Sequence, residues 1–258
     1  MPRFLLAAIT SAAGRKRNQR ERALGKLDWH IFFQDTGGGQ TYLQWLMQAW
    51  GWTLSVALLA LVIALLLGSL VGILRTVPNR GLAFFGEAWT ELFRNIPLIV
   101  QLFIWYFVIP RVFAPLQHVP GFLLAVFGLG FFTSARISEQ IKAGIQALPK
   151  GQRYAGLAMG LTLPQTYRYV LMPMAFRIVI PPLTSESMNI IKNSSVAFAV
   201  QIAELTFFAQ QAAEETSHGI EVYLAVTVLY FVSAFAINRI ATFIEHRLQV
   251  PGMIGAGK

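Results

Sequence analysis

The sequence predicts an all-α, polytopic membrane protein with five transmembrane helices, and three observations lead there. Only 13% of the 258 residues are charged and 55% are apolar, with a mean hydropathy of +0.54; a soluble domain carries about 25% charged residues. Several runs approach the roughly 20 apolar residues that a helix needs to cross about 30 Å of hydrocarbon. The segments between those runs differ in charge from one to the next, as loops on opposite sides of a bilayer do.

Residues 1–40 are expected to form a poorly structured basic extension that ends in an interfacial piece, LDWHIFFQD. Its apolar run FLLAAITSAA is too short to span, and the basic cluster GRKRNQRER follows that run, the reverse of a cleaved signal peptide. The transmembrane domain then covers 41–248, with spans at about 53–74, 92–110, 121–140, 169–191 and 222–244. The first, TLSVALLALVIALLLGSLVGIL, is uncharged and the clearest; Gly68 and Gly72 in it are read as a close helix-packing face. The second, NIPLIVQLFIWYFVIP, is short and is extended back to Leu92 and Phe93 past Arg94. The third, GFLLAVFGLGFFTSA, continues into the amphipathic RISEQIKAGIQAL. The fourth holds Arg177 and is expected to break at Pro181-Pro182. The fifth, VYLAVTVLYFVSAFAINRIATFI, is followed by a tail, 249–258. The run 194–209, interrupted by Gln201 and Glu204, reads as a re-entrant segment and is not counted as a span.

Charge orients these spans. Segment 136–168 carries Arg136, Lys142, Lys150, Arg153 and Arg168 against Glu139, so it is expected in the cytoplasm. Segment 193–221 has no Lys or Arg but four glutamates, so it is expected outside. The C-terminus is then cytoplasmic and the N-terminus outside, against the seven basic residues of 1–26. Those seven also account for most of the net charge of +9, which argues against a nucleic-acid partner because the body is close to balanced.

Chemistry of the usual kinds is missing. There is no cysteine, no G-x-S-x-G, and no pairing of the four histidines at metal-ligand spacing. The tail GMIGAGK matches the start of a phosphate-binding loop but lacks the preceding strand, the Ser/Thr and the following helix. No cofactor site and no enzymatic activity are expected in the chain.

The informative stretch is GQRYAGLAMGLTLPQTYRYVLMP (151–173). It is too polar to cross, yet Tyr154, Leu157, Ala158 and Leu161 share one side of a short helix at i, i+3, i+4, i+7 spacing. Gly156 and Gly160 would bare the other side so that a neighbouring backbone or a partner groove can approach. Thr162 is placed to cap the next helix, with Pro164 in its first turn. The expectation is a cytoplasmic helix–turn–helix that serves as a docking knob.

This stretch resembles the EAA motif, E-A-A-x3-G-x9-I-x-L-P, of permease subunits of bacterial ATP-binding-cassette importers. The register gives Tyr154-Ala155-Gly156, then Gly160, then Val170-Leu171-Met172-Pro173; Tyr154, Gly156, Val170 and Met172 depart from the motif and the spacing is intact. ELFRNIPLIVQ (91–101), LRTVPNR (74–80), KAGIQALPKGQ (142–152) and PPLTSESMNIIKNSS (181–195) are similar to the polar amino-acid branch, and most similar within it to glutamate/aspartate permease subunits. The resemblance covers about 41–252 and implies a type I importer fold in a bacterial inner membrane. It also implies a second permease (a homologue or a second copy), two cytoplasmic ATPase subunits that hold the ATP, and a periplasmic amino-acid-binding protein. The coupling loop, 145–168, would present Gln152, Tyr154, Ala155, Gly156, Leu157, Ala158 and Gly160, with Pro173 closing the motif. Arg177, Glu186 and Lys192 would be pathway residues; the structural alternative, read from the residues alone, is that Arg177 pairs with Glu186 or with backbone carbonyls freed at Pro181-Pro182. An alternative of another class is an ion-coupled carrier or channel that needs no ATPase.

Overall fold

The computed structural model describes residues 27–248, and within them every regular element is a helix. Helix α1 (Tyr42–Leu74) begins well before the expected residue 53, because Thr41 and Gln44 form a reciprocal capping box there. At about 1.5 Å per residue its 33 residues reach about 50 Å, more than a bilayer core requires. Helix α2 (Arg80–Asn95) is capped by the Asn79 side chain, which accepts from the Gly81 and Leu82 N–H groups.

The expected continuous second span is not one rod. α2 and the following helical run α3 (Leu98–Val112) meet at 103°. Pro97 holds Ile96 in an extended conformation and so ends α2. Gln101 then turns back and donates its side-chain amide to the Phe93 and Ile96 carbonyls, at 2.6 and 2.9 Å, which satisfies acceptors left at the end of α2.

Helix α4 (Gly121–Gln146) is followed by the short α5 (Lys150–Ala158). The long α6 starts at Leu163–Thr166, passes through a π turn at Tyr167–Leu171 and continues as Met172–Ser194. Both π turns of the fold, Ile104–Val108 and Tyr167–Leu171, end just ahead of a proline, Pro110 and Pro173. Each proline clashes with the carbonyl four residues back, that of Tyr106 or Tyr169, and a widened turn relieves it. The break expected at Pro181-Pro182 does not occur; both prolines lie inside α6. The helix is clamped between α4 and α8 along its length, and packed neighbours keep proline-containing helices intact in membrane proteins. A 3-10 turn (Ser195–Val200) leads through left-handed Gln201 to α7 (Leu205–Thr216), and α8 (Gly219–Leu248) closes the described chain.

Side-chain contacts set the directions. α1 and α4 run parallel: a Cβ on Gly68 would lie 2.7 Å from the Cβ of Ile137, and one on Gly72 2.6 Å from that of Ile141. The two glycines therefore pack α1 onto α4, as their spacing suggested. α2 and α3 run back along α4, from Thr90 bonded to Ser138 at 3.0 Å, to Phe93 against Phe131, to Tyr106 beside Gly121. α6 also opposes α4, with Ala175 and Val179 at Gly144 and Glu186 at Arg136. α8 starts beside α1 and follows it, as Trp50 donating to Ser233 Oγ at 2.8 Å shows. Five segments thus alternate in direction, the second of them the bent α2–α3 pair. Three of them (α1, α4 and Gly219–Glu245 of α8) are long and apolar enough to cross a membrane, and the bent α2–α3 pair makes a fourth if it is one span.

The extension expected to be poorly structured over 1–40 is ordered at its end. Trp29–Phe33 forms a 3-10 turn capped by Asp28, and Ile31 and Phe32 are buried with Leu205 and Phe208. The Asp28 N–H also donates to Glu221 at 2.9 Å, which ties this turn to α8. Residues 1–26, with their basic cluster, and the tail 249–258, with its GMIGAGK match, lie outside the described residues.

Candidate functional site

α5 is nine residues long and sits between two fixed points. Leu148 before it is buried in a cluster with Ile137, Ile141, Ile145, Tyr167, Leu171 and Val179, which joins the ends of α4 and α6. Tyr167 after it donates its hydroxyl to the Thr76 carbonyl at 2.8 Å, which pins the start of α6 to the segment following α1. A displacement of α5 is therefore passed to three long helices, because close-packed interiors do not absorb it.

The glycines of the loop have internal roles: of the two neighbours expected to approach them, a segment of the chain itself meets Gly156, while nothing lies close to Gly160. α5 ends in a Schellman motif: Leu161 N–H bonds to the Gly156 carbonyl at 3.2 Å and Gly160 N–H to the Leu157 carbonyl at 3.0 Å. Gly160 holds φ +81°, which other residues adopt only with strain. Gly156 is buried, and a Cβ there would meet Thr166 Cγ2 at 2.8 Å. Thr162 caps α6 through a capping box with Gln165, and Pro164 lies in the first turn, both as expected.

What α5 leaves open is its apolar side. Tyr154 is 66% exposed and Met159 82%, with Leu157, Ala155 and Ala158 exposed beside them. Gln152 is half-buried, and Pro173 is exposed just beyond the π turn. Exposed Tyr, Leu and Met together on a helix of polar sequence are the composition of a contact surface. Met159 was not singled out from the sequence, because it lies off the i, i+3, i+4 series; its place at the helix C-cap could have flagged it.

At the same end, Arg75 is buried and donates to Glu87 and Glu139 at 2.7 and 2.9 Å and to Ser138 Oγ at 3.1 Å. Arg94 bridges Glu91 and Glu139, and Lys142 pairs with Glu87. This network joins the end of α1, α2 and α4. Arg94 is thus committed to it.

The expected pathway residues are not brought together. Glu186 is buried and takes a bidentate pair from Arg136, Nε and Nη2 at 2.9 and 3.0 Å, so the expected Arg177–Glu186 pair does not form. The reason is angular: nine residues at 100° each place Arg177 on the side of α6 opposite Glu186. Arg177 and Lys192 form no ion pair among the described residues. They share one stripe of α6 with Pro181, Ser185 and Met188, within an arc of about 80°. Pro181, Ser185 and Lys192 on it are exposed. No group of three metal-ligating side chains occurs among the described residues.

A family model described as "Binding-protein-dependent transport system inner membrane component" matches residues 64–250. The glutamate/aspartate import permease protein GltJ of Escherichia coli (strain K12) is 43% identical over 239 residues, covering 88% of this chain and 97% of that relative. The probable glutamine ABC transporter permease protein GlnM of Bacillus subtilis (strain 168) is 34% identical over 197 residues, 76% of this chain and 90% of that one. Among solved structures, a chain of an amino acid ABC transporter crystallised with histidines superposes with a TM-score of 0.70 at 27% identity, covering 80% of this chain and 95% of its own. The fold is that of a type I ABC importer permease, and the chain belongs to the family of inner membrane components of binding-protein-dependent transport systems.

Proposed function

We propose that the chain is a permease subunit of an ATP-driven importer that carries glutamate or aspartate across a bacterial inner membrane. The observation that carries this reading is α5, a short helix with an exposed Tyr154–Leu157–Met159 surface, rigidly joined to α1, α4 and α6. The chain is a transport subunit and not itself an enzyme, so ATP energy has to enter mechanically. α5 is where two separate cytoplasmic ATPase subunits would act, one on this chain and one on its partner permease. Their grip must differ between ATP-bound and ATP-free states, since equal affinity for both would shift nothing. ATP is held by those subunits, and no cofactor is assigned to this chain.

In this reading all five alternating rods cross the bilayer, including α6 with its charges and α2–α3 despite the bend. The α5 end faces the cytoplasm with the C-terminus, and the start of α1, with α7, faces outward towards a periplasmic binding protein. Five alternating passes place residues 27 and 248 at opposite ends, in keeping with the loop charges. The transmembrane domain spans about 41–248, with 145–168 as the coupling loop.

The Arg177–Ser185–Lys192 stripe supports a pathway. Uncompensated cations at membrane depth are costly against lipid, so an open polar stripe on α6 belongs against water, substrate or a second permease. An acidic amino acid would meet Arg177 and Lys192 there, while Arg136–Glu186 holds α4 to α6 and is already neutralised. The similarity to GltJ supports the acidic substrate. Single-cysteine variants are clean probes because the chain has no cysteine. Ser185→Cys is expected to react with a polar maleimide and to be protected by glutamate in the assembled transporter; no protection by glutamate, with protection by another amino acid, would move the substrate and keep the pathway.

A further inference from the structure

A groove of about 570 Å³ opens beside the coupling loop, at the junction of the end of α1 with the start of α6. Ile73 and Val77 line it from the end of α1 and the segment that follows, and Tyr167, Met172 and Phe176 from α6. The volume falls within the range of about 300–1,000 Å³ that small-molecule sites occupy. Its shape follows from local structure. The Tyr167–Thr76 hydrogen bond holds the start of α6 against the segment that follows α1, and the residues of both line the groove where they diverge.

Arg168 is the one charged residue of the lining. It is exposed, its guanidinium lies 5.8 Å from the Tyr169 ring centroid, and it makes no ion pair among the described residues. Tyr169, next to it and outside the lining, is exposed too, so an aromatic–arginine pair stands beside the groove. That pairing is what membrane proteins place at the headgroup level. The apolar walls would accept an acyl chain of any lipid, and the unpaired guanidinium would select the headgroup. Lys150 and Arg153 nearby in sequence keep the local balance positive.

We propose that this groove binds an anionic phospholipid, with an acyl chain along Ile73, Val77, Met172 and Phe176 and the phosphate on Arg168. Because the groove joins α1 to the base of the coupling loop, the bound lipid would stiffen the connection through which α5 acts. The inference rests on the reading that this end lies at the cytoplasmic interface, which is tested separately by labelling Met159→Cys from the cytoplasmic side.

Native mass spectrometry of the full-length chain, purified in detergent, tests the site with dioleoylphosphatidylglycerol, dioleoylphosphatidylcholine and inorganic phosphate as probes. One basic residue near a membrane surface is worth about a fivefold preference for an anionic lipid. Phosphatidylglycerol is expected to bind about fivefold tighter than phosphatidylcholine, Arg168→Gln to abolish that preference, and Met172→Trp to weaken both lipids by filling the groove. Equal binding of the two lipids by the unaltered chain, or an unchanged preference in Arg168→Gln, would overturn the proposal. Displacement of phosphatidylglycerol by millimolar phosphate would make the site one for a free anion and also overturn it. A Val77→Cys crosslink to an ATPase subunit that excludes lipid would assign the groove to protein instead.

Discussion

At Gly160 the backbone conformation, and not the space around it, limits which residue fits. Its open surroundings would admit a side chain, but its backbone at φ +81° would not. Gly160→Ala should destabilise the loop by about 1–2 kcal/mol, the cost of a left-handed conformation, with Gly160→Asn milder; melting of the purified chain checks this, and equal melting for all three would remove the strain argument. Bulk at Gly160 is accordingly a poor probe of docking, since it disturbs the Schellman turn first. Arg136 is a second such residue. Arg136→Ala leaves the buried Glu186 carboxylate without its bidentate partner and should cost more than Arg136→Lys, which keeps the charge and loses the fork. The loss should stay below the roughly 3–5 kcal/mol of a fully buried pair, because Arg136 is partly exposed. Neither role could be read from the sequence. The EAA-like spacing located Gly160 without showing its φ, and Arg136 read as one more basic loop residue because its partner lies fifty positions away.

At the scale of elements, uncharged length was legible and direction changes were not. α1, α4 and α8 were visible as apolar runs, and α1 was longer than expected only because its capped, tryptophan-bearing start is less apolar than its middle. The α2–α3 bend was missed because hydropathy carries no angle; Pro97 with Gln101 four residues later was the available signal, a break with its own cap. The uninterrupted α6 was missed for the opposite reason, since proline breaks helices in water more readily than in a packed bundle. The α1–α4 contact gives a direct test. Gly68→Leu forces bulk into the Ile137 contact and should cost about 1–3 kcal/mol or separate the helices, whereas Gly51→Ala, with open space around it inside α1, should be neutral or stabilising by up to about 1 kcal/mol. Comparable melting of the two variants would argue against close α1–α4 packing.

At the scale of the whole molecule, α5 is the account's pivot. Apolar exposure on α5, the buried cluster beneath it and the Tyr167–Thr76 bond make one lever out of residues that the sequence presents as a polar interruption. The orientation drawn from loop charge belongs to the proposed function, and the basic residues before position 27 lie outside the described residues. The stripe proposed as a pathway became visible only when α6 proved continuous, because a helix broken at Pro181 would not carry Arg177 and Lys192 on one face.

The central claim is that ATP drives transport through the exposed side of α5. Its most direct test is uptake of labelled glutamate into proteoliposomes holding this chain with its partner permease, ATPase and binding protein, compared with the same assembly carrying Leu157→Asp. The account predicts ATP-dependent uptake by the first, and at least about a hundredfold less by the second if the charge weakens docking by roughly 3 kcal/mol, with normal insertion and melting. Uptake by Leu157→Asp at the unaltered rate, or uptake without ATP on an imposed ion gradient, would contradict it.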